Sequence, residues 1–234
     1  ISPGLPFAVS ALIGVAFVVL YSGMGERLHR AGGVERPSHG FARVLVHLVR
    51  NYRLVCFTIG GILSAIVFGQ FTAYLSQYLI VTSTPENTYK LINYLVTTNA
   101  CVVIGLQYLI GSRINQSNLF RMLMLGMLFF VVGLMGFCYA QTPVAWVLAM
   151  IVFTVGEIII IPVEYLFIDY IAPEDMRGVY YGAQNLSNLG AALGPVLCGV
   201  ALSLYAPWAV FYLLSLCVVV ASLFYFLGSR RRVV

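Results

Sequence analysis

Residues 144–171 read VAWVLAMIVFTVGEIIIIPVEYLFIDYI, with no basic residue and three carboxylates, Glu157, Glu164 and Asp169. A helix needs ~17–25 predominantly apolar residues to cross a hydrocarbon core of ~30 Å, and this run is longer than that. It reads as a transmembrane helix. A charged side chain near the centre of such a helix costs ~2.5–3.5 kcal/mol on insertion scales, so carboxylates there require a reason.

The whole chain has the same character. Of its 234 residues, 61% are hydrophobic and 9% charged, with a mean hydropathy of +0.94, whereas a soluble domain carries about 25% charged residues. Apolar stretches lie at about 6–22, 54–80, 91–111, 122–140, 144–171, 180–204 and 207–228. Barrel strands would be short and alternating, so these are helices. The expectation is an all-α, polytopic membrane helical bundle with seven transmembrane helices.

Twelve of the thirteen Lys and Arg residues fall in connections on one side of that bundle: Arg27, Arg30, Arg36, Arg43, Arg50, Arg53, Arg113, Arg121, Arg177 and Arg230 to Arg232. Only Lys90 falls on the other. The positive-inside rule then puts the tail in the cytoplasm and the start outside. The net charge of +5 is thereby explained by orientation, without a nucleic-acid partner. The five cysteines sit within helices without CxxC spacing, and His29, His39 and His47 pair with no Cys or carboxylate at ligand spacing. No metal site and no cofactor is expected.

The chain starts at Ile1 and enters a helix within a few residues, which suggests a piece of something longer. After Tyr21 the stretch GMGERLHRAGGVERPSHG has the glycine, proline and charge content of a linker between two membrane units. From Phe41 to Arg53 the pattern is amphipathic, as in a helix lying on the inner leaflet or in an extension of the second span. Seven helices with the start outside also suits heptahelical receptors and retinal proteins. The last segment has no lysine for a retinal and no NPxxY-type turn, however, and no DRY-like triplet closes the third.

The sixth segment carries the most informative motif. In RGVYYGAQNLSNLGAALGPVLCGVAL (residues 177–202), Gly190, Gly194, Pro195 and Gly199 form GxxxGPxxxG. Small residues four apart let helix backbones approach, and a membrane proline bends its helix. With IDYIAPEDMRG ahead of it, this stretch resembles the major facilitator superfamily of secondary transporters, whose antiporter motif reads GxxxGPxxGG. The stretches FTVGEIII, EYLFIDYIAP, LSQYLIV and LQYLIG followed by SRINQSN are similar to a bacterial exporter subgroup for drugs or metabolites that includes a dipeptide exporter. The loop that in the family often reads GxxxDRxGRR keeps Gly111 but has Asn115 where the Asp would stand.

The resemblance implies a division of the chain. Residues 1–22 would be the last helix of a missing N-terminal half, 23–53 a cytoplasmic linker, 54–228 the C-terminal six-helix half and 229–234 a cytoplasmic tail. It implies a proton-coupled exporter of dipeptides, amino-acid derivatives or drugs in the bacterial inner membrane, partnered by lipid, protons, a small-molecule substrate and the missing half. A proton-coupled uptake carrier of the same fold is the alternative. There is no Gly-rich phosphate loop, GxSxG or HExxH, so an enzyme is not expected; an intramembrane hydrolase built on Glu157 is the remote exception.

The residues themselves suggest the site. Glu157 and Glu164 are seven residues apart, so they share one helical face and are the candidates for proton coupling. A neutral acid hydrogen-bonded inside the bundle is the other reading, and for Glu164 the partner would be Gln184, Asn185 or Asn188. Asp169 would pair with Arg177 or another inner arginine as a gate, with Arg113 in the neighbouring loop. Gln70, Tyr74 and Gln77 form a polar stripe at helical spacing, and Asn93 and Thr97 another. Together with Gln184 and Asn188 they are candidates for the substrate path, although membrane helices use such residues to bind one another as well. Pro162, between the glutamates, is a candidate hinge.

Overall fold

The computed structural model describes residues 11–18, 20, 21 and 50–230. The linker, nearly all of the amphipathic stretch, parts of the first segment and the last four residues lie outside the described residues. The chain divides into two units, Ile1–Arg43 and Val44–Val234. In the first, residues 11–18, 20 and 21 are helical.

The second unit is built from α1 (Tyr52–Phe68), α2 (Phe71–Thr82), α3 (Pro85–Gly111), α4 (Leu119–Tyr139), α5 (Pro143–Ile171), α6 (Arg177–Gln184), α7 (Asn188–Leu204) and α8 (Ala209–Arg230). Single 3-10 turns, Glu174–Met176 and Asn185–Ser187, precede and follow α6. The starts follow local rules. Thr84 and Thr142 each accept a backbone N–H through Oγ1, from Asn87 at 3.4 Å and Ala145 at 3.2 Å, and proline follows each as the first helical residue. Asn51 caps α1 by accepting from Leu54 N at 3.2 Å. At its far end α5 stops before Pro173, which cannot continue a helix. Because of the Thr84–Pro85 start, α3 begins six residues before the apolar stretch at 91; the first turns are polar and yet helical.

One expectation needs correction. The second apolar stretch is not one straight span: α1 and α2 meet at a 44° bend at Gly69 and Gln70. A Cβ at Gly69 would overlap the Cβ of Ala191 in α7, and Gln70 leaves helical geometry at φ −142°, ψ 46°. Close packing of another helix against Gly69 is the local constraint that periodicity could not reveal. Among the described residues five helices are long and apolar enough to cross a membrane, counting Arg177–Leu204 as one, and the bent pair makes six. The seventh would be residues 6–22, which are described only in part.

The bundle packs α4 on α5, α1 on α8 and on α7, α8 on α4, and α3 on α5. Glycines make the closest of these seams. In α4, Gly133 lies against Phe153 of α5, where an added Cβ would come within 2.9 Å of the Phe153 Cα. In α7, a Cβ on Gly194 would lie 2.6 Å from the Ile66 carbonyl oxygen, and one on Gly190 would overlap the Ile62 oxygen. Gly190 and Gly194 thus seat α7 directly on the backbone of α1, one turn apart. Gly199 differs: a Cβ there meets only Gln77, at 3.7 Å, an ordinary contact. Aromatic rings fill the middle of the bundle, with Phe130, Phe137, Phe153 and Phe211 fully buried. By contrast, α3 buries only Thr88 and Leu95.

The two ends of the glycine motif should therefore respond differently to the same change. Gly190→Ala is expected to destabilise the purified chain by about 1–3 kcal/mol, the usual cost of overpacking, whereas Gly199→Ala should leave the unfolding transition in place. Thermal unfolding followed by circular dichroism in detergent compares them.

Candidate functional site

The polar groups of α5 fall into three settings along its length. Glu157 is half-buried. Asn99 of α3 donates through Nδ2 to Glu157 Oε2 at 2.7 Å and to Thr154 Oγ1 at 3.1 Å, and Thr154 in turn donates to the Met150 carbonyl at 2.8 Å. One amide therefore clamps two positions of α5 and fixes the carboxylate. Glu157 Oε1 has no hydrogen bond among the described residues.

Glu164, almost two turns on, is 4% exposed and held from three other helices. Ser64 of α1 donates to Oε1 at 2.7 Å, Tyr225 of α8 donates to the same oxygen, and Gln184 at the end of α6 donates through Nε2 to Oε2 at 3.1 Å. Among the described residues no lysine or arginine reaches either glutamate, and the ion pairs are Lys90–Glu86 and Arg177–Asp169. A buried charge without a cation is costly, and hydrogen bonding compensates it only in part. Near the far end of α5, Asp169 forms an ion pair with Arg177, Nε to Oδ1 3.5 Å, and accepts a hydrogen bond from Tyr181 Oη at 3.1 Å.

Two cavities flank Glu157. One, of about 400 Å³ and largely apolar, lies between α3 and α5 and includes Gln107, Tyr108, Ile161 and Pro162. The other, of about 390 Å³, is polar and lined by Gln70, Glu157, Glu164, Gln184, Ser187 and Asn188 among others. Both helix interruptions, at Gly69–Gln70 and at Asn185–Ser187, border this second cavity. Irregular backbone at membrane depth is tolerated where it lines such a space. The helix α5 itself continues through Pro162 without interruption.

Several sequence candidates meet here and several do not. Glu157, Glu164, Gln70, Gln184 and Asn188 share the polar cavity. Of the expected stripe Gln70, Tyr74 and Gln77, only Gln70 lines the polar cavity: Tyr74 is fully buried with an unpartnered hydroxyl, and Gln77 keeps a buried, unpartnered Oε1 beside Gly199. Asn93 and Thr97 are exposed and line neither cavity beside the glutamates, and Asn93 donates to its own helix at the Tyr89 carbonyl, 3.0 Å away. Arg113 is exposed and contributes its carbonyl, which accepts from Asn118 Nδ2 at 2.7 Å. Asn99, Ser64 and Tyr225 were not legible as site residues. Asn99 stands in an apolar span two residues after Thr97 and could have been found on that ground. Ser64 and Tyr225 look like ordinary helix residues.

The sequence model of the Major Facilitator Superfamily matches residues 2–195. Over 233 residues the chain is 35% identical to the uncharacterized MFS-type transporter YdeE of Escherichia coli, covering 99% of this chain and 58% of that protein. Over 211 residues it is 25% identical to the uncharacterized MFS-type transporter YqjV of Bacillus subtilis, covering 90% of this chain and 52% of that protein. The chain thus spans little more than half the length of the curated relatives it matches.

The donors around Glu164 should each matter to stability. Tyr225→Phe and Ser64→Ala are each expected to cost about 1–3 kcal/mol by leaving a buried acceptor short of a partner, and Asn93→Ala, at an exposed position, should be neutral. A thiol-reactive dye reporting the buried Cys56 and Cys198 during heating provides the measurement.

Proposed function

The chain belongs to the Major Facilitator Superfamily, and on that premise we propose that it is the C-terminal half of a secondary active exporter, driven by protons moving inward across a bacterial inner membrane. The family is one of transporters and not of enzymes. The observation that carries the reading is the setting of Glu157: a half-buried carboxyl on the walls of two cavities, with one oxygen free and no basic partner among the described residues. A carboxyl so placed changes charge cheaply only by exchanging a proton with water in the cavity, since the charged form is disfavoured away from bulk solvent. Glu164 has a different role in this reading. Its oxygens are occupied by three donors, and it acts as a junction of helices with a secondary part in coupling.

Coverage of 58% and 52% of the relatives, with a match across 99% and 90% of this chain, supports assignment to one half. In such carriers the substrate sits near the midplane between two repeats that rock against each other. The sparsely buried α3 and α7 would then carry the face turned to the other half. Asp169 and Arg177 form the cytoplasmic gate, and the arginine-bearing connections lie in the cytoplasm. The substrate is a small organic molecule of the class of dipeptides, amino-acid derivatives or drugs, recognised by the amides and rings of the two cavities.

Glu157→Gln in the full-length carrier should abolish proton-driven accumulation in inverted vesicles while permitting downhill exchange, because the isostere keeps the cavity and removes titration. Undiminished uphill transport with an unchanged pH profile would remove Glu157 from the mechanism, and uphill transport confined to right-side-out vesicles would make the protein an uptake carrier. For orientation, Asn87→Cys should react with an impermeant maleimide applied from outside intact cells and Ser229→Cys should not. The reverse pattern would invert the topology.

A further inference from the structure

A third cavity, of about 500 Å³, lies where the end of α2, the start of α3 and the junction of α4 with α5 come together. It shares no residue with the two cavities beside Glu157. Its size falls within the ~300–1,000 Å³ of small-molecule sites.

The lining combines rings with one cation. Tyr78 and Trp146, with ring centroids 5.9 Å apart, form the apolar wall, and Tyr94, 53% exposed, stands beside them. Lys90, the only lysine in the chain, contributes the charge, and Asn87 and Gln141 contribute amides. Lys90 Nζ is 2.7 Å from Glu86 Oε1, with the two side chains 58% and 78% exposed. An exposed pair of this kind contributes little, so the ammonium is available to a second anion at small cost. Glu86 does not line the cavity.

The walls are fixed in advance. Thr88 Oγ1 donates to the Leu79 carbonyl at 3.1 Å, tying α3 to α2, and the Thr84 and Thr142 caps hold the starts of α3 and α5. A ligand entering this space has no loop to order, which removes one of the usual costs of binding.

We propose that this cavity is a binding site for a small aromatic carboxylate, its ring against Tyr78 and Trp146 and its carboxylate on Lys90. The site stands apart from the transport reading, because none of its lining residues belongs to the two cavities beside Glu157.

The chain's two tryptophans make the test direct: Trp146 is at the cavity and Trp208 is not. In a Trp208→Phe background, with the full chain in nanodiscs, 4-nitrobenzoate should quench the remaining emission along a saturable curve, and the neutral 4-nitrobenzamide should bind at least tenfold more weakly. Lys90→Gln should weaken 4-nitrobenzoate at least tenfold, and Lys90→Arg should restore most of the affinity. Tyr94→Ala, at an exposed ring, should weaken both probes. Near-ultraviolet circular dichroism establishes that the variants remain folded. Linear, non-saturable quenching, equal binding of acid and amide, or unchanged affinity in Lys90→Gln would each overturn the proposal.

Discussion

The carboxyl of Glu164 is the point at which the bundle is joined. A carboxylate with no cation near it is tolerable in a membrane protein only when donors surround it, and here the donors come from α1, α6 and α8 while the acid comes from α5. Four helices are held to one group. Around that point the backbone itself is irregular: α1 gives way to α2 at Gly69–Gln70, and α6 to α7 through a 3-10 turn. Both interruptions border the same polar cavity as the carboxyl. The polar groups freed by breaking a helix are thus gathered in one place instead of being exposed along the span.

The two glutamates, seven residues apart on one helix, illustrate how setting separates identical side chains. Glu164 has both oxygens engaged and almost no exposure. Glu157 has one oxygen held by Asn99, and cavities on either side of it. The first arrangement resists change in its surroundings. The second leaves room for a proton, a water molecule or a ligand to arrive and depart.

Much of this arrangement could be read from the sequence, and the reason lies in which signals are local. Length and hydropathy locate the spans, the seven-residue spacing puts Glu157 and Glu164 on one face, and the Pro143 and Pro173 boundaries bracket α5. The bend at Gly69 was illegible because its cause is Ala191, more than a hundred residues away. The same holds for Ser64 and Tyr225, whose importance depends wholly on a carboxyl contributed by another helix. Within GxxxGPxxxG the pattern treats the glycines alike, but only Gly190 and Gly194 face carbonyl oxygens of α1.

The position of α3 also has a consequence for how the protein is made. Among the five long spans it is the least apolar, and it packs chiefly on α5, which follows it in the chain with all of α4 between. During synthesis, α3 therefore leaves the ribosome before its principal neighbour exists, and Asn99 must enter the bilayer without Thr154 or Glu157 to receive its amide protons. The contact between α3 and α5 is thus completed only once α4 and α5 have both been translated.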